Sequence, residues 1–153
     1  MGVKWVEGFS DEEVNNMIEY IRQQYVRNGI RRWAIIEKKS NNFIGWTGLK
    51  LVKEIINNQT DYYELGYRLI KQYWGQGYAT ETAYASLGYG FVTMNLDAIY
   101  ALTDVRNKDS QNVQTKVGLR FVKSFNYNQL EHNWYKIERN EWDFRPTYKF
   151  RDR

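Results

Sequence analysis

Apolar side chains recur every three or four positions at Val14, Met17, Ile18, Ile21 and Tyr25, which is the spacing of an amphipathic helix. Ser10-Asp11-Glu12-Glu13 ahead of them forms a capping box, and Asn28-Gly29 supplies a left-handed stop. The period then shortens. Trp33 to Glu37, Phe43 to Val52 and Tyr62 to Ile70 read as strands. Polar turns at Lys39–Asn42 and Asn57–Asp61 separate them, so an antiparallel meander is expected, with Gly45 and Gly48 marking a bulge or a close backbone approach. Helical spacing returns after Gly75-Gln76-Gly77, at Ala79, Thr80, Ala83, Tyr84, Leu87 and Phe91, and Gly88 and Gly90 weaken the end of that helix. Ala98 to Thr103 is a compact apolar strand, and Asn107 to Val117 a short helix closed by Gly118. Leu119 to Phe125 and Trp134 to Arg139 are the last two strands, with a loop at Asn126-Tyr127-Asn128. No repeat or linker interrupts the pattern, so residues 1–153 are expected to form a single α+β domain.

Composition narrows the chemistry. There is no cysteine, which removes disulfides, thiolate metal sites and a cysteine nucleophile, and with a single histidine no metal site is expected. His132 falls in the polar stretch Leu130-Glu131-His132-Asn133 and is expected in a surface loop, without a chemical role. The net charge of +4 is scattered, which suits a small anionic ligand better than a nucleic acid. No apolar stretch approaches the roughly 20 residues of a membrane span, the N-terminus lacks the apolar core of a signal peptide, and Val6 stands where a myristoylation motif wants Ser or Thr. The expected compartment is the cytoplasm.

Trp74-Gly75-Gln76-Gly77-Tyr78-Ala79-Thr80-Glu81 carries the most information, because it lies between a strand and a helix. Small residues at a helix N-terminus expose main-chain N–H groups at the positive end of the dipole, where an anion such as a pyrophosphate can be held. The same residues also serve as plain connection chemistry. No Gly-Lys-Ser/Thr follows, so this is not a Walker loop, and the distal acid of a dinucleotide fingerprint is missing.

With the strand Tyr63-Glu64-Leu65-Gly66-Tyr67-Arg68-Leu69 before it, this segment resembles the acetyl-CoA site of the GNAT N-acetyltransferases, and the RimJ/RimL-like (ribosomal-protein-alanine acetyltransferase) group in particular. Trp74 stands in the first place of that family's Gln/Arg-x-x-Gly-x-Gly/Ala loop. A second landmark fits: Asn107-Lys108-Asp109-Ser110 followed by Lys116-Val117-Gly118-Leu119-Arg120-Phe121 is similar to the family's Asn-x-x-Ser and Lys-x-Gly-Phe, with Leu119 in the usual place of Phe. The resemblance runs from about Trp33 to Trp142. Family members ordinarily carry a further strand and helix ahead of the segment at Ser10, so the domain is expected to be N-terminally short.

The resemblance implies a mixed, mostly antiparallel twisted sheet with helices on both faces and a V-shaped splay between two central strands. It implies acetyl-CoA as co-substrate, with main chain at Tyr67 and Leu69 pairing with the pantetheine arm. The amides of Gln76, Gly77, Tyr78, Ala79 and Thr80 would hold the pyrophosphate, and Asn107 would bind the arm, cap its helix, or both. Glu64 is the candidate general base, although it also fits a solvent-facing place in an alternating strand. Ser110 is the candidate general acid, although a first-turn hydroxyl can equally satisfy backbone amides. Tyr78 and Tyr84 are expected to pack the helix, and Lys116 to be an exposed helix lysine.

The expected activity is acetyl transfer to a primary amine (a protein N-terminus or a small-molecule amine) by direct attack. The alternative is a scaffold that binds CoA without turnover. An RNA-binding role for the basic tail, Arg145, Lys149, Arg151 and Arg153, is the weaker third reading. A homodimer would cover a sheet edge left unpaired.

Overall fold

The computed structural model describes residues 10–30 and 32–142, so the basic tail from 143 onward lies outside the described residues. Helix α1 (Asp11–Asn28) begins on the expected capping box: the Ser10 hydroxyl accepts from the Glu13 amide at 3.3 Å, and the Glu13 carboxylate accepts from the Ser10 amide at 2.8 Å. Gly29, at φ 69°, ends it and donates to the Tyr25 carbonyl. No residue of α1 is buried, so its apolar stripe stays largely at the surface. The Tyr25 hydroxyl ties the helix to the sheet by donating to the Arg32 carbonyl at 2.5 Å.

Strands β1 (Arg32–Ile36), β2 (Phe43–Val52) and β3 (Tyr62–Leu69) form the antiparallel meander that the turns predict. Gly45 is the close approach foreseen in β2. A Cβ there would sit 2.1 Å from the Arg68 carbonyl oxygen, and the β1–β2 register slips beside it, between Ile35 and Ile36. Helix α2 (Tyr78–Gly88) follows, and the chain continues past Gly88 through a π-helical turn, Tyr89–Thr93. Then come β4 (Ala98–Asp104), α3 (Lys108–Lys116), β5 (Arg120–Tyr127) and β6 (Leu130–Glu138).

The sheet of described residues has the order β1-β2-β3-β4-β6-β5. One face packs on α2 and α3 through a core that includes Leu49, Leu65, Leu87, Phe91, Ile99 and Ile137. On the other face Val52, Ile56, Tyr62 and Trp134 form a second, aromatic cluster.

The last hairpin departs from expectation. β5 runs on to Tyr127, the turn is Asn128-Gln129 with both residues at positive φ, and β6 starts at Leu130. Tyr127 reads as a loop residue between two asparagines, yet it packs beside Phe125 and Trp134 in the aromatic cluster. His132 is accordingly corrected from a surface loop to a strand position. It is 1% exposed, paired with Phe125 and Asp104 in the ladder and edge-on to Tyr127.

Candidate active site

Strands β3 and β4 run parallel but share a single register pair among the described residues, Glu64 with Tyr100. Their other neighbours are zipped along most of their lengths: β2 pairs β3 from Gly45–Leu69 to Val52–Tyr62, and β6 pairs β4 from Ala98–Glu138 to Asp104–His132. Each strand is therefore satisfied on one side and parts from the other beyond Glu64. This is the expected V-shaped splay, closed at Glu64 and open toward Tyr67, Leu69 and Thr103.

The open end is built from side chains that α3 contributes. The Tyr67 phenol reaches from β3 to Ser110, 3.0 Å from its hydroxyl and 3.0 Å from its carbonyl oxygen. Four residues on, Gln114 donates from Nε2 to the Thr103 hydroxyl on β4. The helix thus bonds to both arms of the wedge and holds them apart. Asn107 caps it, its Oδ1 accepting from the Ser110 amide at 3.1 Å. The capping role foreseen for Asn107 is therefore present, and the Ser110 hydroxyl turns toward Tyr67.

Beyond the end of β3 the loop is pinned back by Trp74, whose indole N–H donates to the Leu69 carbonyl at 2.8 Å. That carbonyl faces the wedge, because the Arg68 carbonyl faces Gly45 on β2 and successive carbonyls alternate. One acceptor position of Leu69 is thus used inside the chain, while the Tyr67 carbonyl faces the same way. Gly75 and Gly77 then take φ 70° and 88°, left-handed values that favour glycine, and Gly77 is the N-cap of α2. A glycine cap brings no side chain over the start of the helix. The main chain from Gln76 to Thr80 therefore curls around the positive end of the α2 dipole. Tyr78 contributes main chain only: its hydroxyl donates to Glu37 at 2.5 Å and its ring meets Tyr73 edge-on, the packing role expected of it.

At the closed end, Glu64 occupies the sheet face opposite Tyr67, since side chains alternate along β3. Its carboxylate accepts from Nη2 of Arg32 at 3.3 Å, and the two side chains are 15% and 22% exposed. Arg32 reaches it from β1 by crossing β2 over the Trp46 ring, 4.4 Å from its centroid, and over Gly66, where a Cβ would block the guanidinium. Burial pushes the Glu64 carboxyl above its ordinary range, and Arg32 and then Lys50 pull it partly back. A buried carboxyl shifted upward in this way is suited to proton transfer. On the other face, burial pushes the Tyr67 phenol up to about 12, against the side-chain bonds to Ser110 and Gln114.

Of the residues singled out from sequence, Tyr67, Ser110 and Asn107 come together at the open end of the wedge, Leu69 lies farther along β3, Glu64 sits at the closed end on the opposite sheet face, and Gln76 to Thr80 form the adjoining helix entry. Arg32, Thr103, Gln114 and the phenol of Tyr67 were not foreseen. Gln114 had a signal, standing one helical turn beyond Ser110 and so on the same face. Arg32 had none, because its carboxylate partner is 32 residues away.

The family model for an acetyltransferase (GNAT) domain matches residues 3–120. The chain is 38% identical over 96 residues to the uncharacterized protein YkkB of Bacillus subtilis (strain 168), covering 63% of this chain and 54% of that one. It is 30% identical over 103 residues to the uncharacterized N-acetyltransferase p20 of Bacillus licheniformis, covering 67% and 56%. The chain thus spans about half the length of the curated relatives it matches. A crystal structure of a GNAT-family acetyltransferase from Bacillus anthracis superimposes with a TM-score of 0.69 at 25% identity, covering 87% of this chain and 77% of that one.

Proposed function

The chain belongs to the GNAT acetyltransferase family, and from that premise we propose that it transfers an acetyl group from acetyl-CoA to a primary amine by direct attack. The observation that carries this reading is the wedge itself, a sheet split from Glu64 outward beside a helix that starts on glycine.

The residues fit the co-substrate on chemical grounds. Main-chain donors from Gln76 to Thr80 suit a diphosphate. The inner edges of β3 and β4, parted beyond Glu64, suit an extended arm bearing amides, with Tyr67, Leu69 and Asn107 alongside. Bound acetyl-CoA supplies a thioester-activated acetyl group. In this reading the protein's own groups act from opposite faces of the sheet, Glu64 from one and Ser110, beside Tyr67, from the other.

Glu64 takes the proton of the attacking nitrogen as the N–C bond forms. Ser110 gives its proton to the sulfur as the C–S bond breaks, and Tyr67 supports the serine oxygen that loses it. A strand N–H at the wedge steadies the charge developing on the acyl oxygen. Glu64 then passes its proton to solvent, and solvent restores that of Ser110.

The likeness to RimJ/RimL-like enzymes makes peptide N-termini the first acceptors to try, ahead of polyamines, aminoglycosides and amino acids. The cytoplasm is the compartment that would provide such acceptors together with acetyl-CoA. Among the described residues no helix is long and apolar enough to cross a membrane. Calorimetry with CoA and acetyl-CoA, followed by thiol release across the amine panel, tests the proposal. Absence of heat with both ligands refutes it, and binding with no thiol release for any amine selects the CoA-binding scaffold instead.

A further inference from the structure

Strand register makes Lys50 on β2, Glu64 on β3 and Tyr100 on β4 direct neighbours in one row across the sheet. Neighbours in register share a face. It is the face opposite α2 and α3, since Leu49 and Leu65, the adjoining residues, are buried in the core beneath those helices. Most charges along this row are answered. Arg32 bonds to Glu64, and Lys136, next to Tyr100 on β6, bonds to Glu138 at 2.5 Å. Lys50 is half-buried, and among the described residues its ammonium group makes no ion pair and no hydrogen bond. Glu64 feels it nonetheless, as the second positive charge after Arg32 that draws its carboxyl down against burial. Glu54, which acts in the opposite sense, is exposed beyond the end of β2. With Glu64 matched by Arg32, one positive charge is left over beside the carboxylate.

That surplus bears on which amines fit. In the reading above the acceptor nitrogen gives its proton to Glu64, so it lies within hydrogen-bond reach of that carboxylate. Side chains directly opposite in an antiparallel pair have Cβ atoms about 5 Å apart, and a lysine carries its charge on a flexible four-carbon stem. A group a few bonds from the acceptor nitrogen therefore comes within range of Lys50. A second ammonium there, as in a polyamine, meets like charge. A carboxylate brings the single negative charge that balances the surplus. We propose that Lys50 binds a carboxylate of the acceptor, so that the substrates are amines carrying a carboxylate close to the reacting nitrogen. This rests on acetyl transfer with Glu64 as the base and adds to it the class of acceptor. Two sources offer that chemistry: the main-chain carboxylate of a free amino acid, and an acidic side chain near the start of a peptide.

The test compares acceptors in matched pairs, each differing in one carboxylate. Alanine is set against alaninamide, and the peptide Ala-Asp-Ala against Ala-Asn-Ala, both amidated at the C-terminus. Thiol release at saturating acetyl-CoA gives kcat/KM for every acceptor with wild type, Lys50→Met and Lys50→Glu. The readout is the acid-to-amide ratio within a pair, followed from one protein to the next. Differences in amine basicity cancel in that comparison. So does any change in Glu64 itself, which would move both members of a pair alike.

Lys50→Met should lower the ratio about tenfold in at least one pair, and Lys50→Glu should lower it further. The pair that responds identifies the source of the carboxylate. Spermidine should be a poorer acceptor for wild type than the better of the two acids. An acid-to-amide ratio that Lys50→Met leaves unchanged in both pairs overturns the proposal, as does a wild type that prefers spermidine to both acids. Wild type that binds acetyl-CoA but releases no thiol with any of these amines would instead remove the transfer reading, and this acceptor class with it.

Discussion

Tyr67 on β3 and Ser110 on α3 are joined twice across the mouth of the wedge, the phenol oxygen lying 3.0 Å from both the serine hydroxyl and the serine carbonyl. The carbonyl can only accept, so when the phenol proton points there the serine hydroxyl must be the donor in the other contact. When the serine gives its proton elsewhere, the phenol can turn its own toward the serine oxygen. A lone serine is a weak acid, and in the proposed mechanism this partner supplies the stabilisation it lacks.

Ser110→Ala should lower turnover about 100-fold, within the range for a lost acid catalyst, and Tyr67→Phe about tenfold, with CoA affinity near wild type for both. Because burial holds the phenol protonated up to about 12, the Tyr67→Phe loss should be constant between about pH 6 and 9. A loss that varies steeply with pH across that window would place Tyr67 in a different role.

Glu64→Gln keeps the shape of the side chain and removes the proposed base. Turnover should fall by about 10²- to 10⁴-fold while CoA binding stays within about twofold. Steady-state kinetics beside calorimetry decides it, and unchanged turnover would remove Glu64 from the mechanism.

Arg32→Met should move the pH profile in a defined direction. Burial raises the Glu64 pKa and Arg32 lowers it, so removing the guanidinium raises it further. A base works only when ionised, so the acid limb of kcat/KM should lie above the ordinary carboxylate range in wild type and higher still in the variant. Stability follows the same sign. A carboxyl whose folded pKa is raised contributes its stability below the unfolded value and loses it as pH rises through the folded one. An acid limb that stays put or moves down in Arg32→Met would sever the link between the two residues.

Gly77→Val tests the helix entry. At φ 88° a β-branched residue is strained, and its side chain would stand over the first amides of α2. Affinity for both CoA and adenosine 3′,5′-bisphosphate should drop about tenfold or more. Equal binding by Gly77→Val and wild type would move the anion site elsewhere.

Gly45→Ala tests the fold. The added carbon would come 2.1 Å from the Arg68 carbonyl oxygen, backbone that cannot give way without parting β2 from β3. A loss of about 3 kcal/mol, or a melting point lower by roughly 6–12 °C, is expected by thermal denaturation.

Local interactions decided what could be read from the chain in advance. Ser10 and Glu13, Asn28 and Gly29, and the glycines before Tyr78 act within one turn of themselves, so the helix limits followed from spacing alone. The same holds for the meander, whose strands are joined by short polar turns, and for the family motifs at Trp74–Glu81 and Asn107–Phe121. The exposed loop assigned to His132 failed because what buries it, Tyr127 and the ladder to Asp104, lies in pairings that spacing does not encode.

The site itself belonged to tertiary structure. That Glu64 sits at the last joined pair of β3 and β4 depends on where two strands stop sharing hydrogen bonds. That Arg32 tempers it depends on a path over Trp46 and Gly66, and that Ser110 meets Tyr67 depends on where α3 lies against β3. Each is a relation between residues far apart in the chain, set by how strands and helices pack and not by spacing.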